Sequence, residues 1–204
     1  MGVGWGIPAA AAEPPLGLDS QVIEQSPVLR RWLVSPPNVL AEIRALTARP
    51  TRIQLGYVAR NQWFLGVDDL YLGSQVSLSG EYDRWQLPTA ELQQFSAALR
   101  YFLAQPGSRL NLAPQAGYRT ISATGTDPIQ GLEIGATAVV VLAPQTADLS
   151  LDYRWLPGSR EATTLSLTTA YALSRDFRLA TRYRWQNNAF VKDFQVGLML
   201  EWTP

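Results

Sequence analysis

The sequence predicts an all-β fold: a closed, antiparallel, up-and-down transmembrane β-barrel of about ten strands, with eight as the alternative, preceded by two short helices. Three observations carry this. From Thr51 onward apolar and polar residues alternate with a period of two. Most of the alternating segments run to roughly ten to fourteen residues, whereas strands of water-soluble proteins average about five or six and a tilted membrane strand needs about nine to eleven. The aromatic residues also gather at the segment ends.

The composition narrows the function classes. The chain has 204 residues, with 17 basic and 17 acidic side chains and no net charge. Nucleic-acid binders concentrate Lys and Arg to displace counterions from phosphates, so that class is not expected. There is no Cys and no His. Disulfides, thiolate nucleophiles, zinc-thiolate sites and imidazole acid-base chemistry are excluded with them, and no cofactor or metal is expected.

Residues 1–17 contain the run Ala9 to Ala12 followed by Glu13, which reads equally as a signal-peptidase site at the end of an export signal and as an Ala/Pro linker. Residues 18–50 form the helical segment. Val28, Leu29, Trp32 and Leu33 make one apolar stripe, and Val39, Leu40, Ile43 and Leu46 make a second at helical spacing. Pro36 and Pro37 separate the two, because proline suits a first turn and breaks a helix interior. These stripes need cover, which a mouth of the barrel in 51–204, the inner leaflet or a periplasmic partner would supply, so the segment is read as periplasmic or as a plug.

Turn residues divide the rest into strands at 51–60, 63–72, 75–86, 92–104, 109–121, 129–142, 147–156, 162–173, 177–187 and 193–202. In the third, Val76, Leu78, Gly80 and Tyr82 oppose Ser77, Ser79 and Glu81. In the fourth, Phe95, Ala97, Leu99 and Tyr101 oppose Gln94, Ser96 and Arg100. In the sixth, Leu132, Ile134 and Ala136 oppose Glu133 and Gly135; in the seventh, Leu149, Leu151 and Tyr153 oppose Asp152 and Arg154. In the ninth, Phe177, Leu179 and Tyr183 oppose Arg178, Arg182 and Arg184. The adjacent acids Asp68 and Asp69 interrupt the second strand, where a bulge would reverse the facing of Leu70 and Leu72. A carboxylate site is the other reading of that pair.

Alternation does not say which face points outward, since a soluble barrel has the same period with its grease inside. Two features favour grease outside. The connections are expected to alternate between tight turns, such as Gly73-Ser74 and Gln105 to Ser108, and longer loops, as when one side of a membrane trims its turns. Trp63, Trp85, Trp155 and Trp185 are then placed at the long-loop edge, and Tyr71, Tyr101, Tyr171, Phe177 and Trp202 at the other. Two aromatic girdles follow, because indole and phenol rings favour the headgroup layer. The spanning strands must close on themselves, since open edges cannot be hydrated in hydrocarbon.

The last strand, with Gln195, Gly197, Leu200 and Trp202, resembles the terminal assembly signal of bacterial outer-membrane barrels. That resemblance implies the barrel-assembly machinery as a partner during biogenesis, the lipid bilayer as surroundings, an integral outer-membrane location and both termini in the periplasm. More broadly, residues 26–202 resemble small barrels of cyanobacterial outer membranes, through the Arg52 to Tyr57 strand, the Gly66 to Gly73 segment and Ser79 to Tyr82. No activity comes with it.

The expected interior is a charge network in which Arg100, Arg119, Arg154, Arg178, Arg182 and Arg184 meet Glu81, Asp83, Glu133 and Asp152. Buried charges persist only when paired, so the expected function is a structural or binding barrel with a largely filled lumen, or a narrow pore for small solutes, anions among them, if the arginines line a wet path. A soluble lipocalin-like carrier is one alternative. An embedded enzyme is the other; the omptin proteases are similar in strand number, but their chemistry depends on the His this chain lacks.

Overall fold

The computed structural model describes residues 25–27, 50–58, 61–86, 90–105 and 108–204. The expected signal or linker and nearly all of the expected helical segment lie outside the described residues.

Ten antiparallel strands make one closed barrel: β1 (Arg52–Val58), β2 (Gln62–Tyr71), β3 (Val76–Gln86), β4 (Glu91–Tyr101), β5 (Leu110–Ala123), β6 (Ile129–Ala143), β7 (Ala147–Leu156), β8 (Ala162–Ala172), β9 (Phe177–Asn187) and β10 (Lys192–Trp202). Each strand pairs with its neighbour in sequence, and β1 pairs with β10 from Ile53↔Trp202 to Val58↔Gly197. No sheet edge is left. With an even strand count, the start of β1 and the end of β10 share one mouth, called lower here; the β1–β2 and β9–β10 connections lie at the upper one.

The alternation resolves with the oily face outward. Leu99, Ile134, Leu151 and Leu198 are all exposed, with Leu198 at 59%, while Arg154 and Glu133 are buried, Glu133 at 1%. This excludes the soluble carrier, whose grease must line the cavity. A cylinder wearing Leu55, Leu65, Phe95, Leu112, Tyr153, Leu179 and Leu200 on its outside is far above the apolar patch a water-soluble monomer tolerates. It is the surface of a barrel solvated by lipid.

At Val67/Leu70 the β2–β3 register shifts by a bulge, and Asp69 takes a left-handed backbone (φ 56°). The extra residue flips the parity, so that Leu65 and Val67 face outward before it and Leu70 and Leu72 after it.

Three expectations need correction. The connections do not sort by length: the upper ones cover 59–61, 87–90, 124–128, 157–161 and 188–191, the lower ones 72–75, 102–109, 144–146 and 173–176. The lower set includes the longest, where β4 ends at Tyr101 and the chain continues partly laddered, Phe102 N–H to Gln75 C=O and Leu103 N–H to Leu112 C=O. Trp85 is the second. It is 4% exposed and points into the lumen, packed with Leu92, Ile121, Ile129, Leu156 and Ala162 beneath the upper mouth. Its parity within β3 is that of Glu81 and Asp83, so it could not share a face with Tyr82. Tyr71, expected at the lower girdle, is the third: after the bulge it shares its face with Asp69 and pairs with buried Ser77, so that it turns inward.

Replacing Leu198, on the lipid face near the middle of β10, by Arg should cost about 2–4 kcal/mol of stability in a bilayer, the penalty for a midplane cation on a barrel exterior. Equilibrium urea unfolding in phospholipid vesicles measures it. Arg placed at exposed Leu72, beyond the end of β2, should cost under about 1 kcal/mol.

Candidate functional site: the lumen charge network

The lumen is built from the inward residues of all ten strands, and its centre is the Glu81 carboxylate of β3. Arg182 and Arg184 of β9 each reach it at 2.5 Å, and Arg154 of β7 reaches it at 3.5 Å. Arg184 also bridges to Asp83 at 2.9 Å, and Asp83 accepts weaker bonds from the amides of Gln62 and Gln94 at 3.4 and 3.3 Å. Arginine suits this role because its planar fork can serve two carboxylates at once.

From the hub the network runs down in two branches. Arg154 Nε lies 2.8 Å from Asp152, which also accepts from Thr137 (2.7 Å) and Gln115 (2.8 Å). Arg100 lies 3.6 Å from Asp152, donates to Gln115 at 3.0 Å, and pairs with Asp68 and Asp69 at the β2 bulge. In the other branch Arg182 donates to Gln54 Oε1 at 3.1 Å and Gln54 Nε2 donates to Glu201 at 3.0 Å. Arg52 and Arg178 complete it by sharing Asp148 at 3.0 and 2.6 Å. Arg119 and Glu133, on neighbouring strands and 3.0 Å apart, form a separate pair whose side chains are 0% and 1% exposed. Arg119 also donates to Thr164 at 3.1 Å.

Every residue expected in the charge network therefore lies in the lumen. Reading the sequence missed Arg52, Asp148 and Glu201, and read Asp68 and Asp69 only as a bulge or a carboxylate site. Parity could have found the first three, since Arg52 shares a face with Gln54, Asp148 with Asp152, and Glu201 with Gly197. The bulge explains the acidic pair: it turns both carboxylates onto Arg100, with Ser77 and Ser79 donating to Asp69 and Asp68. Phe64 had no sequence signal. Its ring lies under the Arg182 guanidinium at 4.3 Å, a cation–π contact, and covers Gly56 so closely that a Cβ there would overlap it.

A mid-lumen cavity of about 60 Å³ is lined by Arg52, Arg100, Arg154 and Arg182, by acids including Glu81 and Asp152, and by small residues including Ser79, Ser96, Ser150, Ser166 and Thr168. Above it sits the Trp85 cluster, joined by Phe190 and Val191 of the β9–β10 connection.

Outside, Trp63, Trp155 and Trp185 face away from the lumen near the upper edge, and Tyr101, Tyr171 and Trp202 near the lower edge. Gly197 lies against Val58 in the β1–β10 seam, Gln195 shares its inward parity, and Leu200 and Trp202 face outward.

No protein-family model matches the chain, and no curated protein matches it in sequence. Among solved structures it is similar to the KdgM porin, at 10% identity over 76% of this chain and 99% of that one, with a TM-score of 0.45. It is also similar to the N-terminal β-barrel domain of Pseudomonas aeruginosa OprF (12% identity, 74% of this chain and 93% of that one, TM-score 0.39). A third is the outer membrane phospholipase A from Escherichia coli (10% identity, 76% and 97%, TM-score 0.39). These barrels carry different activities by name, and none is assigned to this chain from them.

Glu133→Gln should destabilise the barrel by about 3–5 kcal/mol, because it strands the buried Arg119 guanidinium without its counter-charge. Arg119→Met combined with Glu133→Met should recover most of that loss, as apolar replacement of a buried pair is often neutral. Denaturant unfolding of both variants in vesicles reads the two effects.

Proposed function

We propose that the protein is an integral outer-membrane barrel, both termini periplasmic, whose lumen is a sealed polar core with a structural or ligand-holding role. The observation carrying this is that each lumen arginine, Arg52, Arg100, Arg119, Arg154, Arg178, Arg182 and Arg184, lies within ion-pair distance of a carboxylate. The apolar cluster around Trp85 and Leu156 then closes the upper mouth above them. Charges so paired hold the wall together and are poorly placed to pass ions in single file.

Support for the location comes from the lipid-facing exterior and from β10, whose Gln195, Gly197, Leu200 and Trp202 resemble the terminal signal that the barrel-assembly machinery reads in outer-membrane barrels. In this reading that machinery is the biogenesis partner and the bilayer the permanent one. No general-base imidazole or thiol is available for an embedded enzyme, and Asp68 and Asp69 are engaged with Arg100.

The mid-lumen cavity favours a second reading, a narrow pore, because about 60 Å³ of polar-lined space exceeds the roughly 10–15 Å³ that one water needs. Selection for anions is not favoured. The arginines are opposed by Asp68, Asp69, Glu81, Asp83, Glu133, Asp148, Asp152 and Glu201, which leaves no surplus of positive charge.

In planar bilayers the purified wild-type protein should show no conductance steps, whereas Trp85→Ala combined with Leu156→Ala should give small ones by opening the upper mouth. Regular steps from the wild type would replace the sealed reading with the pore.

A further inference from the structure

Near the upper edge, the outward residues of four strands align across the ladder. Tyr153 of β7 pairs with Leu165 of β8, Leu165 with Trp185 of β9, and Trp185 with Phe194 of β10. The next row towards the mouth reads Trp155, Thr163, Asn187 and Lys192. Bulk is distributed unevenly along these rows: rings stand on β7 and on β9–β10, while β8 between them presents only Thr163 and Leu165.

The result is a cleft in the membrane-facing wall of about 440 Å³. Trp185 and Phe194, packed with ring centroids 4.9 Å apart, form one side, Tyr153 forms the other, and Thr163 and Leu165 make the floor. Its walls rise from strands two ladder spacings apart, about 9–10 Å, enough for a hydrocarbon chain between ring faces. At its water-side end stand Asn187 and Lys192. Lys192 is the sole lysine of the chain, it is exposed, and no carboxylate among the described residues forms an ion pair with it. Asp193 also borders the cleft, but by alternation it turns to the lumen side opposite Gln186, and its carboxylate accepts from the Phe194 N–H at 2.9 Å.

An apolar trough ending in an ammonium and an amide at headgroup depth has the amphipathic outline of a single lipid, and the lone cation complements a phosphate. We infer that this cleft holds one phosphate-bearing diacyl lipid, an acyl chain lying between Tyr153 and Trp185 and its phosphate on Lys192 and Asn187. This rests on the reading of the barrel as membrane-spanning. The aromatic rings give the chain contact that fluid neighbouring lipids cannot match, and the cation fixes the head.

The test is native mass spectrometry of the full chain released from nanodiscs containing equal amounts of phosphatidylglycerol and of a galactosyl diacylglycerol with the same acyl chains. The wild type should retain one phosphatidylglycerol in clear preference, and Lys192→Arg should behave the same. Lys192→Glu should reduce retention at least tenfold, and Leu165→Trp, which fills the floor, should abolish retention of either lipid. Equal retention of the two lipids, an unchanged Lys192→Glu, or a lipid-free dimer seated on this face would each overturn the inference. Flotation of the same protein with vesicles checks the underlying reading separately: wild type that fails to co-float sinks the membrane-spanning barrel itself.

Discussion

The fold depends on the neutralisation of charge at Glu81. A bilayer outside the cylinder forces the polar side chains inward, where there is little water to solvate them, and every ion placed there must find a counter-ion. Three arginines from β7 and β9 converge on that one carboxylate of β3, and through Asp152 and Gln54 the pairing extends to all the lumen arginines except Arg119. Glu81 joins the two branches.

The strand plan was legible because side-chain direction in a strand has a period of two, and lipid outside with paired charge inside makes the two faces chemically unlike. Strand ends fell within a few residues, since Gly, Pro, Asn and Asp mark the turns. Loop length was a weaker guide, as nothing in the pairing of β4 with β5 obliges the lower connection to be short. At Trp85 residue type and parity point opposite ways: an indole suits a headgroup layer, but it also suits an apolar seal inside a narrow mouth, and parity decides.

The interior was legible in kind more than in detail. Inward arginines and carboxylates follow from alternation, yet which of them meet depends on strand stagger and on side-chain reach across the lumen. Arg154 bonding Ser96 three strands away is an instance, and Phe64 beneath Arg182 is another, since nothing in the neighbourhood of Phe64 in the chain marks it as a platform for a guanidinium. The bulge at Asp68 and Asp69 shows local and global demands agreeing, because a left-handed residue in β2 is what brings both acids to Arg100.

The sequence separations within this network bear on how the barrel is made. Arg154 and Glu81 are 73 residues apart, Arg184 and Asp83 are 101, and Gln54 and Glu201 are 147. A lone hairpin of β2–β3 or β8–β9 would therefore carry unmatched ions into hydrocarbon, and its counter-charges lie on hairpins elsewhere in the chain. Such topology gives slow, highly cooperative folding: insertion piece by piece is penalised, and the cylinder is expected to enter the membrane as a nearly complete unit.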